Sequence, residues 1–261
     1  MSQWTQQLIS PAWATTLGTG GLKSVYVRVF DYPAGYRGNT HRHSASQVVY
    51  SYRGVASVYS DQGCWMASPL QAVTIPGWHN HRVAAEGNTL LYSLFIEPPA
   101  NAEVIKQFGC LAVSSVLHAL VKEAGKFFVD YDVDSVEHRL LNLIFDLLKR
   151  EPVNANALYL PNINHPRIAK VLNDWRGQSL RSAEVAKQAA FSPRQFARVF
   201  KQDTGLTFKD WRARFLIQQS IKLLQEGRSV TDVANQLNFS SASAFIAVYK
   251  KLLGRTPTAA Q

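Results

Sequence analysis

Three histidines stand at spacings that could gather a metal ion. His41 and His43 are two residues apart, which on an extended strand puts both side chains on one face. His81, from another strand, would complete a three-imidazole set suited to zinc, iron or nickel. The same rings could instead line a polar pocket and satisfy hydrogen bonds without metal. A second group lies far down the chain. Ser192-Pro193 reads as a capping residue followed by proline at the first helical position. On the helix that follows, Phe196, Val199 and Phe200 share an inner face, while Arg194, Gln195 and Arg198 face outward. Those outward types form paired hydrogen bonds with guanine or adenine edges in a major groove.

The elements that would carry these groups differ in kind. Residues 22–97 read as short strands between turn residues, a pattern of small barrels or sandwiches. From about Ala102 the period becomes helical, through Val104, Ile105 and Phe108 and then Val116, Leu117, Leu120 and Val121. A stronger helix over Asp134–Lys149 carries one stripe of Val136, Leu140, Leu143, Ile144, Leu147 and Leu148. It is read as core, with a dimerising helix as the second reading. Residues 151–162 have linker composition. The expected domains are therefore 1–100, a helical connector over 101–160, and 161–261.

Charge follows the same division. Residues 162–261 carry 16 Lys+Arg against 6 Asp+Glu, which accounts for the whole formal net charge of +10. A basic module on a neutral one suits attraction to a phosphate backbone, although a solvated basic face would look the same. The first residues show no basic start followed by an apolar run, and no apolar stretch is long enough to span a bilayer. Cys64 and Cys110 have no pair spacing and read as thiols in a reducing compartment. The expectation is a cytoplasmic protein that does not engage membranes. Neither a nucleophile-elbow motif nor a glycine-rich phosphate loop occurs, so no enzyme is expected on those grounds.

The tail contains a repeat. Ser182 to Lys201, leading to Gly205, resembles Val230 to Lys250, leading to Gly254. Each half is a short helix with a small residue (Ala186, Ala234), a turn containing Phe-Ser, and a second helix ending in an aromatic residue and lysine. The small residue lets two helices approach at the steep angle of a helix-turn-helix. With Ser192–Gly205, the helix beginning Thr207-Phe208-Lys209-Asp210-Trp211-Arg212, and Gly254-Arg255-Thr256-Pro257, the tail resembles the DNA-binding domain of the AraC/XylS family of bacterial regulators. The resemblance implies seven helices, with Thr207–Gln225 as a linker of roughly 28 Å between two reading units. The expected DNA-contacting set is Arg194, Gln195, Arg198 and Lys201 in the first unit and Ser241, Ser243, Lys250 and Lys251 in the second. Ala247 stands where many members of the family have arginine, so the second unit is expected to supply phosphate contacts more than base readout. The chain after Pro257 is expected to form a short or frayed last helix.

Residues 35–47, with Gly54, resemble the first cupin motif, and Pro76-Gly77-Trp78-His79-Asn80-His81 resembles the second. Cupins are small β-barrels, so the resemblance implies an α+β protein: an N-terminal cupin barrel, a helical connector and an all-α tail with two helix-turn-helix units. It also implies a metal set of His41, His43, Gln47 and His81, with Gln47 where glutamate is usual and Trp78 where glycine is usual. Tyr50, Tyr52, Trp65, Trp78 and Tyr92 are read as barrel core or as the flank of an apolar effector pocket. The order of parts is similar to a branch of the family that includes regulators of transporter and efflux genes.

Three hypotheses follow. The first is a sensor–regulator, activator or repressor, whose cupin binds a small molecule or a divalent metal. Its partners would be double-stranded promoter DNA, a second copy of the chain and, for an activator, RNA polymerase. The second is a cupin enzyme with an accessory DNA-binding tail, which Gln47 argues against by removing a base. The third is a constitutive DNA-binding protein whose cupin only dimerises. No cofactor is required by any of the motifs.

Overall fold

The computed structural model describes residues 25–69, 71–85, 87–127, 131–154, 159–175, 181–253 and 256–257. The chain divides into two compact units, one of residues 1–61 and 65–157, the other of residues 62–64 and 158–261.

The first unit is built on antiparallel strands. β1 (Val25–Tyr32), β2 (Ser46–Arg53), β5 (Gln71–Ile75), β7 (Thr89–Ile96) and β8 (Gly109–Ala112) form one sheet in the order β1-β7-β2-β5-β8. β3 (Ala56–Ser60), β4 (Gly63–Ala67) and β6 (His81–Ala85) form a second in the order β6-β3-β4. Strand β2 is buried on both faces, and its alternation decides what each face does. Val48, Tyr50 and the facing Leu94 and Ile96 of β7 join a core cluster with helical residues, while Gln47 points to the opposite side and meets Ser93.

The helical partners are α2 (Ser115–Ala124) and α3 (Val136–Arg150), which follow a four-residue α1 (Asn101–Val104). Ser114 caps α2 by accepting from the Leu117 amide, and Ser135 caps α3 by accepting from that of His138. Leu117 and Val121 of α2 and Leu141, Ile144 and Leu148 of α3 are buried in the sheet's core cluster. The expected connector is thus part of the first unit, and the units divide at residues 157 and 158 instead of 160 and 161.

Two helical expectations are corrected. The periodic run from Ala102 does not continue through Phe108, because residues 109–112 are strand β8, paired with β5 from Gln71↔Ala112 to Thr74↔Gly109. A four-residue strand buried at Gly109, Cys110 and Leu111 carries too little alternation to be told from helix. The six-residue stripe on α3 is wider than the buried face. Val136 stays 63% exposed and Leu143 48% exposed, whereas Leu141, absent from the expected stripe, is buried.

The second unit begins with β9 (Leu160–Pro161), paired antiparallel with Gly63 and Cys64. Six helices follow among the described residues: α4 (Pro166–Asn173), α5 (Ser182–Gln188), α6 (Pro193–Thr204), α7 (Phe208–Gln225), α8 (Val230–Gln236) and α9 (Ala242–Leu253). The expected seventh helix, and Gly254 and Arg255, lie outside the described residues. No described helix is long and apolar enough to cross a membrane.

Candidate nucleic-acid interface and histidine site

The two helix-turn-helix repeats are α5–α6 and α8–α9, and their turns share one backbone conformation and one hydrogen bond. Ala190 and Asn238 each hold left-handed backbone, with φ of 55° and 56°. The next residue then donates its amide back to the small residue of the first helix, Phe191 to Ala186 and Phe239 to Ala234, both at 2.9 Å. Ala186 and Ala234 are buried, as close approach of the helices requires. Arg167 of α4 braces the first turn. Its guanidinium lies 3.9 Å from the Phe191 ring centroid and donates to the Ala190 carbonyl.

Helix α6 starts from a full capping box. Ser192 Oγ accepts from the Gln195 amide, and the Ser192 amide and hydroxyl both donate to Gln195 Oε1. Gly205, in left-handed backbone, ends the helix. Phe196 and Phe200 are fully buried against Phe208 and Trp211 of α7, so the opposite face is committed to solvent. On it Arg194, Arg198 and Lys201 line up at i, i+4 and i+7, all exposed. Gln195 is exposed too, but its carbonyl oxygen is held in the cap.

In the second repeat Phe245 and Tyr249 take the inner positions. Ser241 accepts from the Ala244 amide and caps α9. Ser241, Ser243, Ala247, Lys250 and Lys251 are exposed. This face offers hydroxyls and lysines, and no side chain able to grip a base edge bidentately.

Between the repeats runs a cleft of about 970 Å³ that the sequence did not disclose. Arg181, Lys201, Lys209 and Arg212 line it, with Ser182, Thr207, Asn238 and Ser240, and no acidic residue does. The Arg212 Nε is buried without a hydrogen-bond partner among the described residues, and burial lowers its guanidinium from the ordinary arginine range. One signal for these residues was available. Arg181 occupies the N-cap of α5, and Lys209 follows the Thr207 cap of α7 by two positions. Cations there oppose the helix dipole, a small cost that a bound anion would offset.

In the first unit the three histidines do come together. His41 and His81 exchange both backbone hydrogen bonds at 2.9 Å, which locks the two motif segments edge to edge. The rings of His41 and His43 approach that of His81 to 4.4 and 5.0 Å between centroids, and one ligand nitrogen from each lies within 4.8 Å of the others. Each Nδ1 meets a backbone carbonyl: Asn39 for His41, Ala45 for His43 and His79 for His81, at 2.9, 2.7 and 2.9 Å. A carbonyl only accepts, so each Nδ1 carries the hydrogen and each neutral ring keeps its Nε2 lone pair for a ligand. Burial lowers the His43 pKa and brings that of His81 to about 3, which keeps both rings neutral. The His81 Nε2 is buried with no hydrogen-bond partner among the described residues.

Gln47 belongs to the same cluster. Its Nε2 donates to Ser93 Oγ at 2.9 Å, which turns Oε1 toward His43 Nε2, 3.4 Å away. With His43 Nδ1 already donating, two lone pairs face one another across that gap, an arrangement a cation between them would relieve. The donor set therefore fits a divalent metal ion.

The five aromatic residues do not line one pocket, and Tyr50, Trp65 and Tyr92 are buried as core residues are. Tyr50 and Tyr52 project from β2 to the helix-facing side. There the Tyr50 hydroxyl and His118 Nδ1 are hydrogen bonded at 2.6 Å, Tyr52 stacks on His118, and Tyr92 lies beside Tyr52. Trp65, on the second sheet, is buried against Phe108. Trp78 is 66% exposed with φ of 63°, in the left-handed region that explains why glycine is usual there. Gly77 before it admits no side chain, since a Cβ would lie 2.2 Å from the Ser44 carbonyl oxygen.

Residues 185–261 match the model of a helix-turn-helix domain family. The regulator NimR of Escherichia coli strain K12 is 30% identical over 222 residues, covering 83% of this chain and 80% of that protein. The probable transcriptional regulator LumQ of Photobacterium leiognathi is 21% identical over 222 residues, covering 84% and 90%. Among solved structures, fatty-acid-bound ToxT of Vibrio cholerae covers 92% of this chain and 95% of its own at 14% identity, with a TM-score of 0.39. The AdpA DNA-binding domain in complex with target DNA covers 35% and 86% at 26% identity, with a TM-score of 0.33. With a 30% identical relative matching across most of both chains, and a helix-turn-helix family model matching the tail, the chain belongs to the AraC-type family of helix-turn-helix transcriptional regulators, which are not enzymes.

Proposed function

We propose that this regulator reads promoter DNA mainly with the first repeat, holds the duplex with the second, and responds to a divalent metal at the histidine cluster. Arg194 and Arg198 read base edges, Lys201 and the cleft cations Arg181, Lys209 and Arg212 take the backbone, and Lys250 and Lys251 add phosphate contacts on the far side. The single supporting observation is the contrast between two faces on one repeated scaffold, arginines on α6 against serines, alanine and lysines on α9. Helix α7, with 18 residues, is roughly 27 Å long, compatible with reading helices in successive grooves. Binding measured at several salt concentrations tests this: Lys209→Ala should lower the salt slope by about 1 and leave sequence preference intact.

His41, His43 and His81 hold the metal through Nε2, with Gln47 Oε1 beside them. The ion would clamp the two motif segments and so stabilise one arrangement of the sensor unit, as coupling to DNA affinity requires. Metal analysis of untagged protein is the check. One equivalent of zinc, iron or nickel, lost in His81→Ala, supports the site, and protein that ignores added divalent ions removes it.

A second copy of the chain fits against α3. Val136, Leu140, Leu143 and Leu147 follow the 4-3-4 spacing of a coiled-coil seam and are exposed or half-buried. In an antiparallel pair Arg139 of one copy falls near Asp146 of the other. Sedimentation of Leu143→Glu against wild type tests it, with a shift to monomer as the expected result. The work of such a regulator places it in the cytoplasm, with RNA polymerase as a partner when it activates.

A further inference from the structure

The cleft between the repeats holds positive charge that nothing inside it answers. Arg181 at the start of α5, Lys201 of α6 and Lys209 and Arg212 of α7 all line it. The Thr207-capped N-terminus of α7 borders the same space and adds the positive end of an 18-residue helix dipole. Arg212 differs from the other three cations, which are exposed. It is half-buried, and its Nε is buried without a hydrogen-bond partner among the described residues. Burial alone moves its pKa, downward, whereas the pull of Asp210 is felt by Arg214.

The carboxylates of the tail lie elsewhere. Residues 162–261 contain Asp174, Glu184, Asp203, Asp210, Glu226 and Asp232, and all of them are described. Asp203 accepts from the Asn164 and His165 amides, Asp210 from the Thr207 hydroxyl and Asp232 from that of Ser229. Asp174 and Glu226 are the C-caps of α4 and α7, and Glu184 is exposed on the first turn of α5. None of them lines the cleft. Phe208 and the half-buried Phe239 add an aromatic wall. The volume of about 970 Å³ lies at the upper end of small-ligand sites, which run from about 300 to 1,000 Å³. Such a space, with four cations and no acid, suits a compact group carrying several negative charges, as a chain of phosphates does.

We infer that the cleft binds a free oligophosphate, its phosphates on Arg181, Lys201, Lys209 and Arg212, and that this ligand competes with DNA. The competition rests on the reading that places the DNA backbone on these cations; the binding itself does not. The tail then has an input of its own, separate from the histidine site.

The test titrates the full chain, free of DNA, with tripolyphosphate, ATP and sulfate by calorimetry at one fixed ionic strength without added magnesium. One tripolyphosphate should bind, at least about tenfold more tightly than sulfate. Arg212→Gln should weaken it about tenfold or more, as loss of a charge-assisted hydrogen bond does, with Arg212→Lys intermediate. Lys209→Gln, at an exposed position, should weaken it several-fold and serves where an Arg212 variant fails to fold. Arg194→Gln, exposed on α6 and outside the cleft lining, should bind as wild type does. Tighter binding of ATP than of tripolyphosphate assigns a nucleotide with its base against Phe239, and ATP no tighter assigns the phosphate chain alone. A labelled duplex recovered by binding-site selection should be displaced by tripolyphosphate at concentrations that follow its calorimetric affinity. Tripolyphosphate no tighter than sulfate, or bound equally by wild type and the cleft variants, overturns the inference, and a lowered salt slope in Lys209→Ala would still uphold the DNA reading. Tight binding that leaves duplex affinity unchanged overturns the competition and, with it, the placing of DNA on the cleft.

Discussion

In the first repeat the residue entering the turn is Ala190, in the second Asn238, and both take the same left-handed backbone. Behind them the inner positions correspond: Ala186 with Ala234, Phe196 with Phe245, Phe200 with Tyr249, every one buried. In front of them the capping serines and Lys201 with Lys250 still correspond, but Arg194 and Arg198 of α6 have no arginine counterpart on α9. Packing has constrained the two cores alike, because a helix pair crossing through a small residue tolerates few volumes. The exposed faces carry no such constraint and differ in the side chains they present.

Breaking the scaffold should have the largest effect. Phe200→Ala removes a fully buried ring from the contact with Phe208 and Trp211, and should cost about 3–5 kcal/mol in chemical denaturation. Next comes the reading face. Arg198→Ala should weaken binding to a selected site by about 1–3 kcal/mol without lowering the melting temperature. Lys250→Ala should reduce affinity for all sequences alike, with a salt slope lower by about 1. The smallest effect sharpens the turn comparison. Ala190→Gly relieves left-handed strain on an L-residue and should stabilise by up to about 1 kcal/mol. Asn238→Gly should gain less, because asparagine tolerates that backbone.

The parts legible in the sequence were those with a strong local signature. Ser192-Pro193 announced α6, the doubled Phe-Ser turn announced the repeat, and His-x-His with a distant histidine announced the cluster. What stayed hidden depended on faces and on distance along the chain. The burial of Leu141 in place of Leu143 is a rotation of α3 that only the sheet beneath it decides. Tyr50 and Gln47, three apart on one strand, go to opposite sides, which residue type alone does not decide. Gln195 shows a further limit. A residue type suited to adenine also suits an N3 capping position, and the cap is satisfied within the chain itself. The basic cleft needed Arg181, Lys201 and Lys209 from three separate helical segments.

The unequal division of labour between the repeats is tested most directly by selecting binding sites from random duplex DNA with wild type, Arg198→Ala and Lys250→Ala at one fixed salt concentration. The expected result is a two-part site in which Arg198→Ala erases base preference in one half, while Lys250→Ala returns the wild-type sequence at lower yield. Equal loss of preference in both variants, or a preference concentrated in the half contacted by α9, would contradict it.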